Sequence, residues 1–296
     1  MPTGLHRALP VYIIGDSHAL PYRNLIFRDK WTGQWIVVRS RYISGLTAHD
    51  FFNSKTGEFL PQILETLEYE GLVRDERATH LSKDEIDFAI AQATGQPVTP
   101  PLLMFVVGDI DVRSILLPML AEHYDFVPPL DLPYPVSEKP LMPWDVVAET
   151  IEQRLRPFIN GLKQLRESGF NRLYVQSVVP PTQDEARVKV VQGRISCPVL
   201  VRTKLVAAFN HVLATEVKSM GATIVDIWPQ VTEGGYLKKE YELDGVHLPP
   251  RAAQMHVEQL LEHAINFPWE SVNHVRYEMF YRMACNLPLF PREAIR

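Results

Sequence analysis

Residues 102–107 read Leu-Leu-Met-Phe-Val-Val, and Gly108-Asp109 follows them directly. An apolar run without a break is typical of a central strand in a parallel sheet, because helices cover both faces of such a strand. A second short apolar run, Val11 to Ile14, ends in the same way, at Gly15-Asp16. The sequence therefore predicts two buried parallel strands, each followed by a glycine turn.

Apolar runs and helical patterns alternate along the rest of the chain. Further strands are predicted at Leu25 to Phe27, Trp35 to Val38, Leu173 to Val179 and Thr223 to Ile227. Helices are predicted at Phe59 to Tyr69, Asp84 to Ala93, Ser114 to His123, Trp144 to Ser168, Lys204 to Met220 and Ala252 to Ile265. Thr32-Gly33 separates two of the strands, which could pair as a hairpin. The alternation predicts an α/β fold, with three α/β/α layers around a mostly parallel sheet of about five strands.

Two helices carry more detailed signals. In the longest one, six apolar residues keep to one face and predict its buried side: Val147, Ile151, Leu155, Phe158, Leu162 and Leu165. Gly169 is expected to end this helix. Asp111 stands just before the Ser114 to His123 pattern, where it is expected to cap the start of that helix.

Residues 1–266 are interpreted as one domain and residues 267–296 as a C-terminal tail. The tail is rich in large side chains that could form an aromatic helix: Trp269, Tyr277, Phe280, Tyr281 and Met283. We expect it to pack back on the domain, and a surface for a partner is the alternative.

The composition excludes several classes of partner. With 46% hydrophobic and 22% charged residues the chain is typical of a globular protein. Its net charge of −5 argues against nucleic acid, which is bound through clustered Lys and Arg. No segment reaches the roughly 18 to 20 apolar residues that span a bilayer. No Gly-x-Gly-x-x-Gly or Walker pattern occurs, so no cofactor is expected. The sequence does not fix the oligomeric state.

The two cysteines and the N-terminus bear on the compartment. Cys197 and Cys285 are far apart in sequence and are most simply two reduced thiols, although a bridge between them stays open. Residues 1–10 contain no long apolar segment behind a basic start, which argues against a secretory signal. We therefore expect a cytoplasmic protein.

Three polar segments follow predicted strands. Gly15-Asp16-Ser17 follows the first strand, Gly108 to Asp111 follows the central one, and Asp244 to His247 comes after the last. Because ligands gather at the carboxyl ends of parallel strands, we expect these segments to meet at one edge of the sheet.

The order of these motifs resembles the SGNH (GDSL-type) hydrolase family. The resemblance covers roughly Val11 to Ile265 by motif order and implies an SGNH/flavodoxin-like fold. It also implies a catalytic triad in which Ser17 attacks a carbonyl, His247 is the base and Asp244 orients the histidine. His18 directly follows the serine and is expected to shape the pocket or contact the substrate.

The oxyanion hole departs from the family pattern. The resemblance implies backbone N–H donors at Ser17 and Gly45, together with a side chain from the third motif. That motif should read Gly-x-Asn-Asp, but Ile110 stands at the asparagine position, before Asp111. Arg113 could replace the missing donor, since its guanidinium carries five N–H groups. The alternative is a salt bridge from Arg113 to Asp109 or Asp111 that fixes the loop.

These residues predict a serine esterase for small esters, and the family resemblance favours deacetylation of a carbohydrate. The expected partner is thus a small-molecule or glycan ester. Acyl transfer to a sugar by the same triad is the alternative within this class, since excluding water from an acyl-enzyme makes a transferase. A degenerate fold that binds a glycan or acyl group without catalysis is a third interpretation.

A metal-dependent enzyme is a weaker alternative. Asp16-Ser17-His18 also resembles the Asp-x-His opening of calcineurin-like metallophosphoesterases. That family needs a Gly-Asn-His segment and a late Gly-His-x-His, and neither occurs in this sequence. We therefore expect no bound metal.

Overall fold

A six-stranded, mostly parallel sheet forms the centre of the fold. The computed structural model describes residues 9–30, 33, 35–70, 102–121, 123–130, 136–168, 170–192 and 198–264. Its strands are β1 (Leu9–Gly15), β2 (Ile26–Arg28), β3 (Trp35–Tyr42), β4 (Phe52–Asn53), β5 (Glu58–Phe59), β6 (Leu102–Val106), β7 (Leu173–Gln176), β8 (Thr223–Val225), β9 (Thr232–Glu233) and β10 (Tyr236–Leu237). The order in the sheet is β2-β3-β1-β6-β7-β8, and two small hairpins, β4-β5 and β9-β10, lie outside it.

The strand order identifies the kind of sheet. β3, β1, β6, β7 and β8 run parallel, and β2 pairs antiparallel with β3 at the edge. In chain order the parallel strands are arranged 2-1-3-4-5, which is the flavodoxin-like doubly wound topology. The predicted α/β fold with a mostly parallel sheet is confirmed. The predicted hairpin is confirmed as well, because Phe27 pairs with Ile36 across β2 and β3.

Most predicted helices are present. The helices are α1 (Pro61–Tyr69), α2 (Trp144–Glu167), α3 (Glu185–Gln192), α4 (Val199–Ser219), α5 (Trp228–Val231) and α6 (Pro250–Ala264). Two 3₁₀ helices (Ser17–Tyr22 and Lys239–Tyr241) and a π-helix (Asp111–Ala121) complete the set in the described part of the chain. All six residues expected on the core side of α2 are buried.

Helices cover both faces of the sheet, so the three-layer prediction holds. Alternate residues of β1 point to opposite faces: Tyr12 and Ile14 belong to one apolar cluster, and Val11 and Ile13 to the other. The first cluster includes side chains of α2, α4 and the π-helix, and the second includes α6. Every residue of β6 is buried, as the unbroken apolar run predicts.

The segment after β6 differs from the prediction in two ways. It is a π-helix over Asp111–Ala121 rather than an ordinary helix from Ser114. Pro118 lies inside it and has no N–H to donate, which disfavours regular α-helical hydrogen bonding there. Asp111 does not cap the helix, because its two oxygens accept from Ala48 N and Arg154 Nε instead.

Several sequence predictions lie outside the described residues. They are the helix at Asp84 to Ala93, the helix end at Gly169, the pairing of Cys197 and Cys285, and the tail at residues 267–296. In the part of the chain that the structure describes, no helix has both the length and the apolar character to span a membrane.

Candidate active site

The candidate site lies where the strand order reverses, between β1 and β6. In doubly wound sheets ligands bind at the carboxyl ends of the strands beside this point. The turn at the end of β1 and the turn that follows β6 both require glycine. A Cβ on Gly15 would lie 2.4 Å from the Val106 carbonyl oxygen, and a Cβ on Gly108, whose φ is +108°, would lie 2.6 Å from Phe209 Cε1. The two glycines therefore let the strand ends pack closely beneath the site.

Ser17 begins a 3₁₀ helix directly after β1. Asp16 N donates to the Val106 carbonyl oxygen at 3.1 Å, which ties this turn to β6. Asp16 Oδ1 accepts from His18 N at 2.9 Å and thereby caps the helix. Burial raises the pKa of the Asp16 carboxyl to about 6. Ser17 itself is half-buried, so its side chain stands at the rim of the sheet.

Asp244 and His247 form a hydrogen-bonded pair within one tight turn. Asp244 Oδ1 accepts from Val246 N at 3.0 Å and His247 N at 2.8 Å, and Oδ2 lies 2.7 Å from His247 Nδ1. Gly245 has a φ of +95° and allows this turn. Burial alone would raise the pKa of the Asp244 carboxyl, but its bonds to His247 and Val246 hold it below its usual value. The carboxylate therefore accepts, His247 Nδ1 donates, and Nε2 carries the lone pair of a base.

A second ion-paired group surrounds His18. His18 Nε2 lies 3.2 Å from Asp109 Oδ2, and Arg113 Nε donates to the same oxygen at 2.9 Å. Burial alone would lower the pKa of His18, but the Asp109 and Asp16 carboxylates outweigh it and raise that pKa. Although burial opposes it, His18 and Arg113 hold the pKa of the Asp109 carboxyl far below its usual value. Of the two alternatives for Arg113, a salt bridge to Asp109 is the contact that is present.

The two histidines meet at this edge. The ring centroids of His18 and His247 are 4.9 Å apart, so the Ser17 segment and the Asp244–His247 turn come together as expected. His247 Nε2 is buried and has no hydrogen-bond partner among the described residues, Ser17 included. The site thus contains a half-buried hydroxyl and an oriented imidazole, with no hydrogen bond between them.

Gly45 is exposed and Asp111 is buried, so these two predicted site residues lie in different surroundings. Gly45 lies in an exposed turn with a φ of +72°, and Ile43 N ties that turn to the Gly15 carbonyl at 2.8 Å. Asp111 is completely buried, and both of its oxygens are occupied by Ala48 N and Arg154. We therefore assign Asp111 to holding the loop that follows β3 rather than to contact with a substrate.

The sequence interpretation missed a third histidine beside the site. His256 on α6 is 1% exposed and shares a small cavity with His18, Tyr22 and Gln176. Tyr22 Oη donates to Gln176 Oε1 at 2.5 Å within the same cluster. The helical pattern of α6 offered a signal, since His256 lies on its apolar face, one residue before Val257.

This histidine predicts a pH-dependent loss of stability. Burial lowers the pKa of His256 to about 3, whereas an unfolded histidine titrates at about 6.5. The unfolded chain binds the extra proton between these values, so the free energy of unfolding falls as the pH is lowered through that window. In His256→Leu, the free energy of unfolding measured in urea should fall less steeply with decreasing pH than in the wild type. The difference in slope should reach up to about 1.4 kcal/mol per pH unit. His263→Leu, at an exposed position on the same helix, is the control. An unchanged pH slope in His256→Leu would contradict the assignment.

No group of three or more His, Cys, Asp or Glu side chains is arranged to hold a metal ion within the described ranges.

The solved structures that are similar to this chain share little sequence identity with it. No family model matches the chain, and no curated protein matches it. Among solved structures, one from Streptococcus pneumonia is provisionally described as a platelet activating factor. It is 16% identical with a TM-score of 0.47, and the match covers 86% of this chain and 84% of that one.

Two Bacteroides structures are similar as well. A GDSL-like lipase from Bacteroides thetaiotaomicron is 17% identical, with a TM-score of 0.38 and 90% of each chain covered. A protein from Bacteroides fragilis, provisionally described as an acylhydrolase, is 14% identical, with a TM-score of 0.39 and coverages of 87% and 86%.

Proposed function

We propose that this protein is a serine hydrolase of the SGNH type that cleaves small esters. The observation that carries the proposal is the Asp244–His247 pair. Asp244 Oδ2 fixes the Nδ1 side of the ring at 2.7 Å, and Nε2 is left without a partner among the described residues. Ser17 lies at the same edge of the sheet, next to the His18 ring that packs on His247. A serine, an oriented histidine and an ionised carboxylate are the groups that acyl transfer needs.

In the proposed reaction, Ser17 Oγ bonds to the ester carbonyl carbon while its proton passes to His247 Nε2. The tetrahedral intermediate collapses, and the leaving alcohol takes that proton as the C–O bond breaks. Water then attacks the acyl-enzyme, gives a proton to His247 and releases the acid, and Ser17 regains its proton. Asp244 stays ionised throughout, because its bonds to His247 and Val246 keep its pKa low.

The oxyanion would be stabilised by the backbone N–H groups of Ser17 and Gly45. Arg113 binds Asp109 through Nε at 2.9 Å, which favours a bracing role over that of a third donor. With only two donors, turnover of an unactivated ester should be slow, since one such donor typically contributes about 10²–10³-fold.

Within this class, acetyl esters of carbohydrates are the proposed substrates, with acyl transfer to a sugar as the variant of the same chemistry. A panel of acetylated sugars, with free sugar added as acceptor, separates the two. Release of acetate identifies a hydrolase, and formation of a new sugar ester identifies a transferase.

A fluorophosphonate probe tests the nucleophile directly. We expect one label per chain on the peptide that contains Ser17, because only an activated serine reacts at a useful rate. EDTA should leave both labelling and ester hydrolysis unchanged. Hydrolysis that EDTA abolishes, without labelling, would instead indicate a metal-dependent enzyme. A chain that neither reacts with the probe nor cleaves any ester would be a binding protein.

A further inference from the structure

The hydrogen bond between Asp244 and the His247 ring constrains that ring at one atom. Asp244 Oδ2 lies 2.7 Å from His247 Nδ1. The Asp244 side chain is 42% exposed, and water competes for a carboxylate at that exposure. His247 Nε2 is buried and has no hydrogen-bond partner among the described residues. A second contact is therefore needed to fix the direction in which Nε2 points.

The His18 ring supplies such a contact. Its centroid lies 4.9 Å from that of the His247 ring, and the two ring planes are tilted by 46°. His18 is 4% exposed, so its ring is closely packed. His18 also directly follows Ser17 in the 3₁₀ helix whose start Asp16 caps. The ring that contacts His247 is thus attached to the segment that carries the proposed nucleophile.

An ion pair anchors the His18 ring. His18 Nε2 lies 3.2 Å from Asp109 Oδ2, and Arg113 Nε donates to the same oxygen at 2.9 Å. Burial alone would lower the pKa of the His18 imidazole, but the Asp109 and Asp16 carboxylates outweigh it and raise that pKa. The ring therefore binds a second proton more readily than a histidine in water, and a charged donor makes the stronger bond. The Asp109 carboxylate also offsets the positive charge of the ring beside His247.

We propose that His18 and Asp109 are positioning residues for the general base of the reaction. Asp109 anchors the His18 ring, and the His247 ring packs against it in the orientation that directs Nε2 at Ser17 Oγ. This role rests on the proposed esterase function and adds two residues that act through His247. It differs from a role in substrate binding, because loss of a substrate contact would leave the base in place. A displacement of about 1 Å can cost about 10²-fold in rate, so loss of the ring should lower turnover.

Removal of the His18 ring tests the position of the base. In His18→Ala, kcat and kcat/KM for p-nitrophenyl acetate should fall together by about 10²-fold, because acylation and deacylation both use the base. His18→Phe restores a ring at this place and should recover kcat to within about tenfold of the wild type. His211→Leu, at an exposed position on α4, should leave both constants as in the wild type.

Two outcomes of these measurements would overturn the proposal. A higher KM with unchanged kcat in His18→Ala would make His18 a substrate contact, since only binding is then lost. Equal losses in His18→Ala and in folded His18→Phe would mean that ring packing does not position the base.

A double-mutant cycle tests Asp109, and its single variant Asp109→Ala serves if His18→Ala does not fold. In Asp109→Ala the His18 ring loses its anchor, and kcat should fall by about tenfold. The double variant should match His18→Ala to within about twofold, because the carboxylate acts only through the ring. Losses that multiply in the double variant, or an unchanged kcat in Asp109→Ala, would remove Asp109 from this role.

Carbethoxylation of His247 reports the ring contact without any ester hydrolysis. Diethyl pyrocarbonate modifies accessible, unprotonated imidazole nitrogens, and His247 Nε2 is buried in the wild type. Peptide mass spectrometry should show His247 modified several-fold faster in His18→Ala, whereas the exposed His211 should react at the same rate in both chains. Ester hydrolysis with neither kcat nor His247 labelling changed in His18→Ala would refute the positioning role and keep the esterase. Faster labelling in a chain that cleaves no ester would keep the ring contact and refute the esterase.

Discussion

Replacing Ser17 with alanine is expected to lower kcat for p-nitrophenyl acetate by about 10⁴-fold or more, because the triad acts as a unit and loses its function with any member. Without Oγ there is no acyl-enzyme, and only the oxyanion donors and binding contacts remain to assist attack by water. The fold should persist, since Ser17 is half-buried and the substitution removes a single oxygen atom. Burst kinetics and steady-state hydrolysis measure the loss.

Ser44→Ala is the matched control for this experiment. Ser44 is an exposed serine one residue before Gly45, so the same atom is removed close to the site without touching the proposed nucleophile. Its turnover should stay within about twofold of the wild type, as expected for a surface substitution. Circular dichroism and thermal melting establish that both variants are folded. Hydrolysis retained in folded Ser17→Ala would remove Ser17 as the nucleophile.

Sequence reasoning succeeded for this fold where local patterns decide the structure. The unbroken apolar run of β6 required helices on both faces, and the helices are there. The sequence also predicts the six buried apolar residues of α2 individually. An α-helix has 3.6 residues per turn, so apolar residues at that spacing lie on one face, toward the core. The Asp244–His247 pair was also predictable, since only three positions separate its members along the chain.

Contacts between distant segments were not predictable in the same way. Asp111 was expected to cap its own helix, and it instead binds Ala48 and Arg154, which are 63 and 43 positions away. For His18 the sequence predicts a residue that shapes the pocket or contacts the substrate, but its pairing with Asp109 depends on how β1 and β6 align. Periodicity gives the face of an element, and the partner on a neighbouring element follows only from the register of the sheet.

The largest effect on stability is expected at Asp111. Its carboxylate is completely buried, accepts from Ala48 N at 2.7 Å and pairs with Arg154 Nε at 2.8 Å. In Asp111→Ala the Ala48 N–H and the Arg154 guanidinium, whose side chain is 19% exposed, lose their acceptor together. We expect the free energy of unfolding to fall by about 3 kcal/mol, as when one member of a buried pair is removed. Urea unfolding at constant pH measures this change.

A double-mutant cycle with Arg154→Met separates the ion pair from the bond to Ala48. The double variant should lose less stability than the sum of the single variants, since no guanidinium is then left without its carboxylate. Lys30→Ala breaks a more exposed pair, whose Lys30 Nζ and Glu258 Oε2 atoms are 3.8 Å apart, and should cost less than about 1 kcal/mol. Additive losses in the cycle would mean that Asp111 acts through Ala48 alone. In that case Asp111 would hold the loop carrying Gly45 through its bond to Ala48 N alone, and kcat should fall in Asp111→Ala but not in Arg154→Met.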